Sequence, residues 1–200
     1  EGPTFFFGHN RAGNIDTLRE LCAAAGLTLE IAPQVTAGGR TVSSSAVRAC
    51  IAEGKIAEAV ELLGHPYRIR GRVASGAVRG RTLGFPTANT PTPTGFALAQ
   101  GIYAVKARLG DRLLDGVAAY GKPMFNNERP PFETMLFDFD EDIYGADIAV
   151  ALVGHIRGQM VFDGLDQLIA QMRLDCDRAR DILATAAPLG DLDEKLGFFT

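Results

Sequence analysis

The chain has 200 residues, 46% of them hydrophobic, and a formal net charge of −4. This length and composition can bury a substantial core in one domain or in two small ones. The acidic balance argues against a general nucleic-acid or membrane-surface binder. Since no apolar run reaches about 18 residues, the sequence predicts no membrane span.

Three cysteines lie far apart, without a CxxC pair or a histidine–cysteine cluster that would suggest zinc. Cys22 and Cys176 occupy apolar positions of helical patterns, and the third cysteine is Cys50. We therefore predict buried free thiols in a reducing cytoplasm.

Residues 1–64 have the pattern of an α/β segment. Because the chain starts at Glu1, with neither a methionine nor a signal peptide, we predict a fragment of a longer protein. The predicted elements are a buried strand over residues 2–8, a helix from Asn14 to Ala25, a strand over 27–32, a turn at Gly38 and Gly39, and helices over 46–53 and 56–63. The first helix is predicted to carry an apolar stripe of Leu18, Leu21, Cys22 and Ala25.

A serine run lies where the second helix begins. The hydroxyls of Ser43 and Ser44 and the free N–H groups would face one point, with Arg48 one turn farther along. This arrangement is typical of an anion-binding helix N-terminus. An ordinary serine N-cap is the alternative.

The pattern changes from helical to extended at His65, and we place a domain boundary between residues 64 and 65. Strands separated by turns, without helices between them, predict an antiparallel barrel in an α+β protein. The predicted strands cover residues 67–75, 101–107, 112–119, 132–139 and 148–156. One helix is predicted over residues 163–183, and residues 186–200 form a charged and then apolar tail that can pack on a neighbouring copy.

Residues 71–89 combine glycines with arginines. Glycines let the backbone approach an anion, and arginines supply forked donors for phosphate oxygens. The predicted phosphate-binding residues are Gly76, Arg79, Gly80, Arg81 and Gly84. Thr87 and Asn89 follow, and their oxygens, two residues apart, suit a hard cation such as Mg²⁺. A glycine-rich hairpin with solvated arginines is the alternative.

Residues 79–89, Arg-Gly-Arg-Thr-Leu-Gly-Phe-Pro-Thr-Ala-Asn, resemble the hallmark of riboflavin kinases. Further matches follow in order at residues 101–103, 132–139, 143–145, 156–157 and 162–163. Residues 7–13, the serine run and residues 59–67 resemble the bacterial bifunctional enzyme, FAD synthetase, which joins an FMN adenylyltransferase domain to a riboflavin kinase domain.

The resemblance implies a six-stranded Greek-key barrel with a C-terminal helix that transfers the γ-phosphate of ATP to riboflavin. It gives Thr87 and Asn89 the role of holding Mg²⁺ and the ATP phosphates. It implies that Glu133 is the catalytic base, for which a solvated strand carboxylate is the alternative. It also implies that Phe132 lies at the flavin and that Arg157 helps at the flavin or the phosphate end. For Arg157, a strand-end salt bridge is the alternative.

Two departures from the family pattern bear on activity. Where the family reads Asn-x-Gly-x-Arg-Pro-Thr, this chain has Ala119-Tyr-Gly-Lys-Pro-Met124. The same stretch, from Gly116 to Lys122, nearly matches a P-loop, but Pro123 stands where a Ser or Thr belongs, so we reject that reading. The second departure is that the histidines form no His-x-Gly-His site of the adenylyltransferase half. We therefore do not expect this chain to adenylylate FMN.

The sequence thus predicts three segments: the C-terminal part of a nucleotidyltransferase domain (residues 1–64), a riboflavin kinase barrel (65–185) and a tail (186–200). The expected partners are riboflavin, ATP and Mg²⁺, with neither nucleic acid nor membrane. The alternatives are a flavin-binding barrel without turnover, and a module that self-associates.

Overall fold

The structure, a computed structural model, describes residues 1–74, 85–93, 95–121, 132–187 and 191–196. It divides into two compact units, Glu1–Val42 and Ser43–Thr200. In the described parts of the chain, no helix combines the length and the apolar composition needed to cross a membrane.

The first unit contains a short 3-10 helix (His9–Arg11), one α-helix and one short hairpin. Helix α1 spans Ile15–Ala24, and Asn14 caps it because its side-chain oxygen accepts the N–H groups of Asp16 and Thr17, each at 3.0 Å. Strands β1 (Thr36–Ala37) and β2 (Arg40–Thr41) pair through a turn in which Gly38 and Gly39 have φ of 56° and 72°. The predicted helix and turn are confirmed here.

Two predicted strands of this unit are wrong. Residues 2–8 form only a single bridge, between Phe7 and Gly13. Residues 27–32 do not form a ladder of backbone hydrogen bonds with another strand. They make isolated hydrogen bonds, such as the 2.8 Å bond from the N–H of Ala32 to the carbonyl of Glu1. An extended segment becomes a strand only beside a partner strand, and none lies next to these segments in the described residues. The stripe on α1 is not buried either, since Leu21 and Ala25 are exposed and Leu18 and Cys22 half-buried.

The second unit begins with two helices, as predicted. Helix α2 spans Ser44–Ala52 and helix α3 spans Ile56–Leu63. Gly54 and Gly64 follow the two helices with φ of 73° and 71°, the left-handed conformation that glycine adopts most readily.

Six strands then form one antiparallel sheet. They are β3 (Tyr67–Arg72), β4 (Ala88–Thr90), β5 (Gly101–Leu109), β6 (Arg112–Tyr120), β7 (Phe132–Leu136) and β8 (Asp147–Arg157). Their order is β3-β8-β5-β6-β7-β4, and each neighbouring pair is antiparallel. An isolated bridge from Ala74 to Asn89, with a 2.8 Å hydrogen bond, links the two edges of the sheet. The sheet therefore curves into a barrel, which confirms the predicted fold.

The barrel has a buried inner face and an outer face that is partly covered by a helix. Tyr103, Val105 and Ala107 alternate along β5 toward the inside and are fully buried. Helix α4 (Leu165–Thr185) packs on the outer face. Its contact with the barrel is an apolar cluster that contains Phe85, Ala104, Phe137, Cys176, Ala179 and Leu183.

The close pairing of β6 and β7 depends on Gly116. A Cβ atom at this position would lie 2.4 Å from the carbonyl oxygen of Met135, which belongs to the neighbouring backbone. Gly116 therefore serves strand pairing within β6, in agreement with the rejection of a P-loop at this stretch.

In the structure, α2 and α3 group with the barrel, because the division falls after Val42. The predicted boundary between residues 64 and 65 separates the segment assigned to the nucleotidyltransferase domain from the segment assigned to the riboflavin kinase barrel. This assignment remains a prediction. In the tail, helix α5 spans Asp191–Leu196, and residues 197–200, which include Phe198 and Phe199, lie outside the described residues. Self-association through this tail remains a prediction as well.

Candidate functional site

Strand register places five side chains in one row across the outer face of the barrel. Asn89 of β4 pairs with Glu133 of β7, and Glu133 pairs on its other side with Ala119 of β6. Ala119 pairs with Ile102 of β5, and Ile102 pairs with Arg157 of β8. Directly opposite residues of antiparallel strands point to the same face. The row therefore brings together Asn89, Glu133 and Arg157, which are far apart in sequence.

The segment that carries Thr87 and Asn89 is anchored on both sides of the sheet. Phe85 is buried in the cluster with α4, and Ala88 and Thr90 point into the barrel and are buried. Asn89, between them in the strand, consequently points outward and is half-buried, as is Thr87. Strand alternation thus determines which of these side chains reach the outer surface.

Glu133 is a half-buried carboxylate on the outer face of β7. Burial raises its pKa above the usual value of 4.5. Among the described residues, its side chain has neither a hydrogen-bond nor an ion-pair partner. A carboxylate with these properties can accept a proton from a bound hydroxyl or contribute to cation binding.

Phe132, predicted to lie at the flavin, is not brought to this row. It precedes Glu133 in β7 and therefore points to the opposite face, inside the barrel. It is 0% exposed, and its ring centroid lies 6.5 Å from that of Tyr120. Alternation along the strand gives Phe132 a place in the core instead of at the outer surface.

Arg157 forms a two-pronged ion pair with Asp175 of α4. Its Nε and Nη2 donate to the two carboxylate oxygens at 2.9 and 2.6 Å. Its Nη1 donates to the carbonyl of Gly158, and Gln171 donates to Asp175 at 2.9 Å. The structure therefore contains the salt bridge that was the alternative for Arg157. The role of Asp175 was missed, although an acidic residue in line with the apolar positions of a helix is a recognisable signal.

The serine run caps α2. The hydroxyl of Ser43 accepts the N–H of Ala46 at 3.1 Å, which is the ordinary N-cap interaction. Ser44 and Arg48 are exposed, and no hydrogen bond among the described residues joins Ser43, Ser44 or Arg48 to Glu133. Anion binding at this helix remains a prediction.

The predicted phosphate-binding glycines and arginines (Gly76, Arg79, Gly80, Arg81, Gly84) lie outside the described residues. The residues on either side of this segment are placed. Ala74 is bonded to Asn89, and Phe85 is packed against α4. Both ends of the segment are consequently attached close to the strand that bears Asn89.

The departure from the family pattern at Ala119 falls inside the row. Ala119 lies directly opposite Glu133, where the family's asparagine would place an amide. Two residues on, a Cβ atom at Gly121 would lie 2.0 Å from Nε2 of Gln159, which donates to the carbonyl of Tyr120 at 3.0 Å. The remainder of this segment, from Lys122 onward, lies outside the described residues.

The fold and the row define an antiparallel six-stranded barrel with a helix on its outer face. A carboxylate, an amide and a guanidinium are aligned across that face, and the guanidinium is paired with the helix. The family model described as "Flavokinase: Riboflavin kinase" matches residues 63–183. The chain belongs to the riboflavin kinase family.

The curated relatives are bifunctional enzymes. The chain is 38% identical over 189 residues to the bifunctional riboflavin kinase/FMN adenylyltransferase of Escherichia coli (strain K12), covering 94% of this chain and 60% of that protein. It is 36% identical over 184 residues to the enzyme of the same name from Bacillus subtilis (strain 168), covering 89% of this chain and 58% of that protein. The chain thus spans about three fifths of the length of these relatives.

Among solved structures, the chain is similar to one described as a macrolide-efflux protein from Streptococcus pneumoniae. The sequences are 32% identical and the TM-score is 0.78, covering 90% of this chain and 59% of that one. The family match and the bifunctional relatives support riboflavin kinase activity, and the family uses ATP and riboflavin, generally with a divalent metal.

Proposed function

We propose that this chain transfers the γ-phosphate of ATP to the ribityl 5′-hydroxyl of riboflavin, giving FMN and ADP. The observation that carries the proposal is the cross-strand pair of Asn89 and Glu133 on the outer face. It sets a carboxylate of raised pKa beside an amide oxygen at the edge of a surface that a substrate can reach.

Glu133 acts as the general base. As the ribityl oxygen attacks the γ-phosphorus and the bond to the ADP oxygen breaks, the hydroxyl proton passes to the carboxylate of Glu133. Phosphoryl transfer depends mainly on positioning and charge stabilisation. One well-placed carboxylate is therefore sufficient as the general base for the attacking hydroxyl.

Thr87 and Asn89 hold Mg²⁺ with the ATP phosphates. Hydroxyl and amide oxygens, with a carboxylate opposite that lacks a partner among the described residues, are a donor set that suits this cation. The described residues contain no cluster of three or more His, Cys, Asp or Glu that could hold a metal. When bound, Mg²⁺ neutralises charge on those phosphates.

Flavin occupies the surface between Glu133 and Arg157. These residues are three strand spacings apart, about 14 Å. Ala119 and Ile102 lie between them and offer a small and an apolar side chain to a flat ring. Arg157, fixed by Asp175, marks the far end. The glycines and arginines of residues 76–84 are the predicted phosphate-binding residues.

The wider assignment follows the bifunctional relatives. We propose that residues 1–64 are the C-terminal part of an adenylyltransferase domain, and that the protein works in the cytoplasm, where Cys50 and Cys176 stay reduced. This chain is not expected to make FAD, because the histidine site of the adenylyltransferase half is missing from it.

The test is incubation of the chain with riboflavin, ATP and Mg²⁺, with FMN, FAD and riboflavin separated by chromatography. Glu133→Gln should lower the rate of FMN formation by about 10²–10⁴-fold. Glu141→Gln, which removes an exposed carboxylate paired with Arg112, is the matched control and should retain activity. A folded parent that forms no FMN would refute the proposal, and FAD formation would refute the assignment of residues 1–64.

A binding role without turnover is the second candidate, and the observation that favours it is Ala119. The side chain opposite Glu133 lacks the amide of the family pattern. Riboflavin that binds to the folded chain, as measured by flavin fluorescence, without consumption of ATP would favour this candidate over the kinase.

A further inference from the structure

Four arginines line an open pocket on the outer face of the barrel, away from α4. They are Arg68, Arg70 and Arg72 of β3 and Arg108 of β5, around a volume of about 550 Å³. Asp147 is the one carboxylate in the described lining. We call this feature the arginine pocket.

Strand register explains why the four arginines lie on one face of the sheet. Arg68, Arg70 and Arg72 alternate along β3 and share one face, while Ile69 points inside and is buried. Arg70 and Arg108 both pair with Ala149 of the intervening strand β8. Their Cα atoms are therefore about 10 Å apart, and a methyl group forms the floor between two long cationic side chains.

This concentration of positive charge is unusual in a chain whose formal net charge is −4. Neighbouring outward positions on a strand are about 7 Å apart, so the three arginines of β3 repel one another. Arg72 donates its Nε–H to the carbonyl of Gly145 at 2.6 Å, which orients its side chain. Arg70 is exposed and makes no hydrogen bond or ion pair to the residues that the structure describes.

The arginine pocket is separate from the row of Glu133. Arg108 lies six residues beyond Ile102 along β5, which is about 20 Å in a strand. The arginine pocket shares no lining residue with the row that contains Glu133. Ligand binding in the arginine pocket consequently does not depend on whether this chain phosphorylates riboflavin.

We propose that the arginine pocket binds a diphosphate or triphosphate group, as part of a nucleotide or as inorganic polyphosphate. Two guanidinium groups separated by a small alanine can grip neighbouring phosphates from both sides, and forked N–H donors match phosphate oxygens. The excess of arginine over carboxylate selects a ligand with several negative charges, and the volume accommodates a mononucleotide.

The experiment titrates inorganic pyrophosphate into the ¹⁵N-labelled full chain and follows the Nε–Hε signals of the arginines by NMR. EDTA is present, so that no Mg²⁺ can link a phosphate to Thr87 and Asn89. Saturable shifts of the Arg70 and Arg108 signals are expected. In Arg70→Gln/Arg108→Gln, binding should weaken roughly tenfold or more, and added NaCl should weaken binding to the parent.

The matched control is Arg19→Gln/Arg173→Gln, which removes the same charge from exposed helical positions outside the arginine pocket. It should bind pyrophosphate as the parent does, and both double variants should form FMN at the parent's rate. ADP and adenosine distinguish the two sources: a nucleotide ligand requires ADP to bind more tightly than pyrophosphate, whereas equal affinity with no adenosine binding indicates the phosphate group alone. Absence of saturable shifts, or equal weakening in both double variants, would overturn the proposal.

Discussion

Asn89 and Glu133 lie directly opposite each other on β4 and β7, on the outer face of the barrel. Opposite residues in an antiparallel pair have Cβ atoms about 4.5–5.5 Å apart. The amide oxygen and the carboxylate can therefore contact the same small cation or phosphate-bound substrate. The 2.8 Å bond from Ala74 to the carbonyl of Asn89 holds this strand at the closure of the barrel.

If Asn89 holds Mg²⁺, then Asn89→Ala should raise the Mg²⁺ concentration for half-maximal FMN formation by about tenfold, equivalent to about 1.4 kcal/mol for one lost ligand. A Mg²⁺ titration at fixed ATP and riboflavin measures the shift. Asn14→Ala, which removes an amide from the cap of α1, is the control and should leave the Mg²⁺ dependence unchanged. An unaltered Mg²⁺ requirement in Asn89→Ala would remove this residue from the cation site.

Glu133 should make the stability of the protein depend on pH in a defined direction. Burial raises its pKa, so the folded state binds this proton more tightly than the unfolded state does. The free energy of unfolding therefore falls as pH rises from the unfolded-state pKa through the higher folded-state pKa. Glu133→Gln removes the penalty, and urea denaturation should show a larger gain in stability at about pH 8 than at about pH 4.

Glu141→Gln is the comparison, because the contribution of Glu141 to stability should change with pH in the opposite direction. The hydrogen bond from Arg112 lowers the pKa of Glu141, so any contribution of this exposed carboxylate is present at neutral pH and disappears in acid. A gain from Glu133→Gln that is the same at both pH values would contradict a raised pKa at Glu133.

An asparagine at position 119, as in the family pattern, should lower the pKa of Glu133, the proposed base. Ala119→Asn places a hydrogen-bond donor directly opposite Glu133, which stabilises the ionised carboxylate and lowers its pKa. The acidic limb of the rate profile of FMN formation should then move to lower pH. Ala119→Leu has similar size without a donor and should not move the limb downward; equal shifts in the two variants would exclude the hydrogen-bond explanation.

The ion pair of Arg157 and Asp175 should be important for stability. The side chains are 18% and 5% exposed, respectively, so Asp175→Asn leaves a largely buried guanidinium without its counter-charge. We expect a loss of about 2–4 kcal/mol in urea denaturation, the lower end reflecting the partial exposure of Arg157.

Asp177→Asn is the control for that ion pair, because its carboxylate is exposed and 3.7 Å from Arg180. It should change stability by less than about 0.5 kcal/mol. Replacing both partners, in Arg157→Met/Asp175→Leu, should recover part of the loss, since no charge is then left buried. Equal losses in Asp175→Asn and Asp177→Asn would show that the buried pair has no special role.

The local elements were predictable because their causes are local. Asn14 caps α1 with its own side chain, Gly64 ends α3 in the left-handed conformation, and alternating apolar residues define β5. The hallmark of residues 79–89 indicated the family from sequence alone, and Glu133 was singled out through the same resemblance.

Other features depended on partners distant in sequence. Residues 27–32 alternate like a strand but lack a partner strand in the described residues, and Leu27 stays 65% exposed. Phe132 and Glu133 are adjacent in sequence, yet only the pairing of β7 with β4 and β6 decides that Glu133 faces outward and Phe132 inward.

The sequence by itself determined the caps of α1 and α2, most strands of the barrel, the fold class and the family, because these follow from short-range preferences and from a contiguous motif. Only the tertiary structure decided the row from Asn89 to Arg157, the burial of Asp175 against that arginine, and the arginine pocket. Register, ion pairs and converging charges arise where strands from distant parts of the chain meet, and no local preference encodes that alignment.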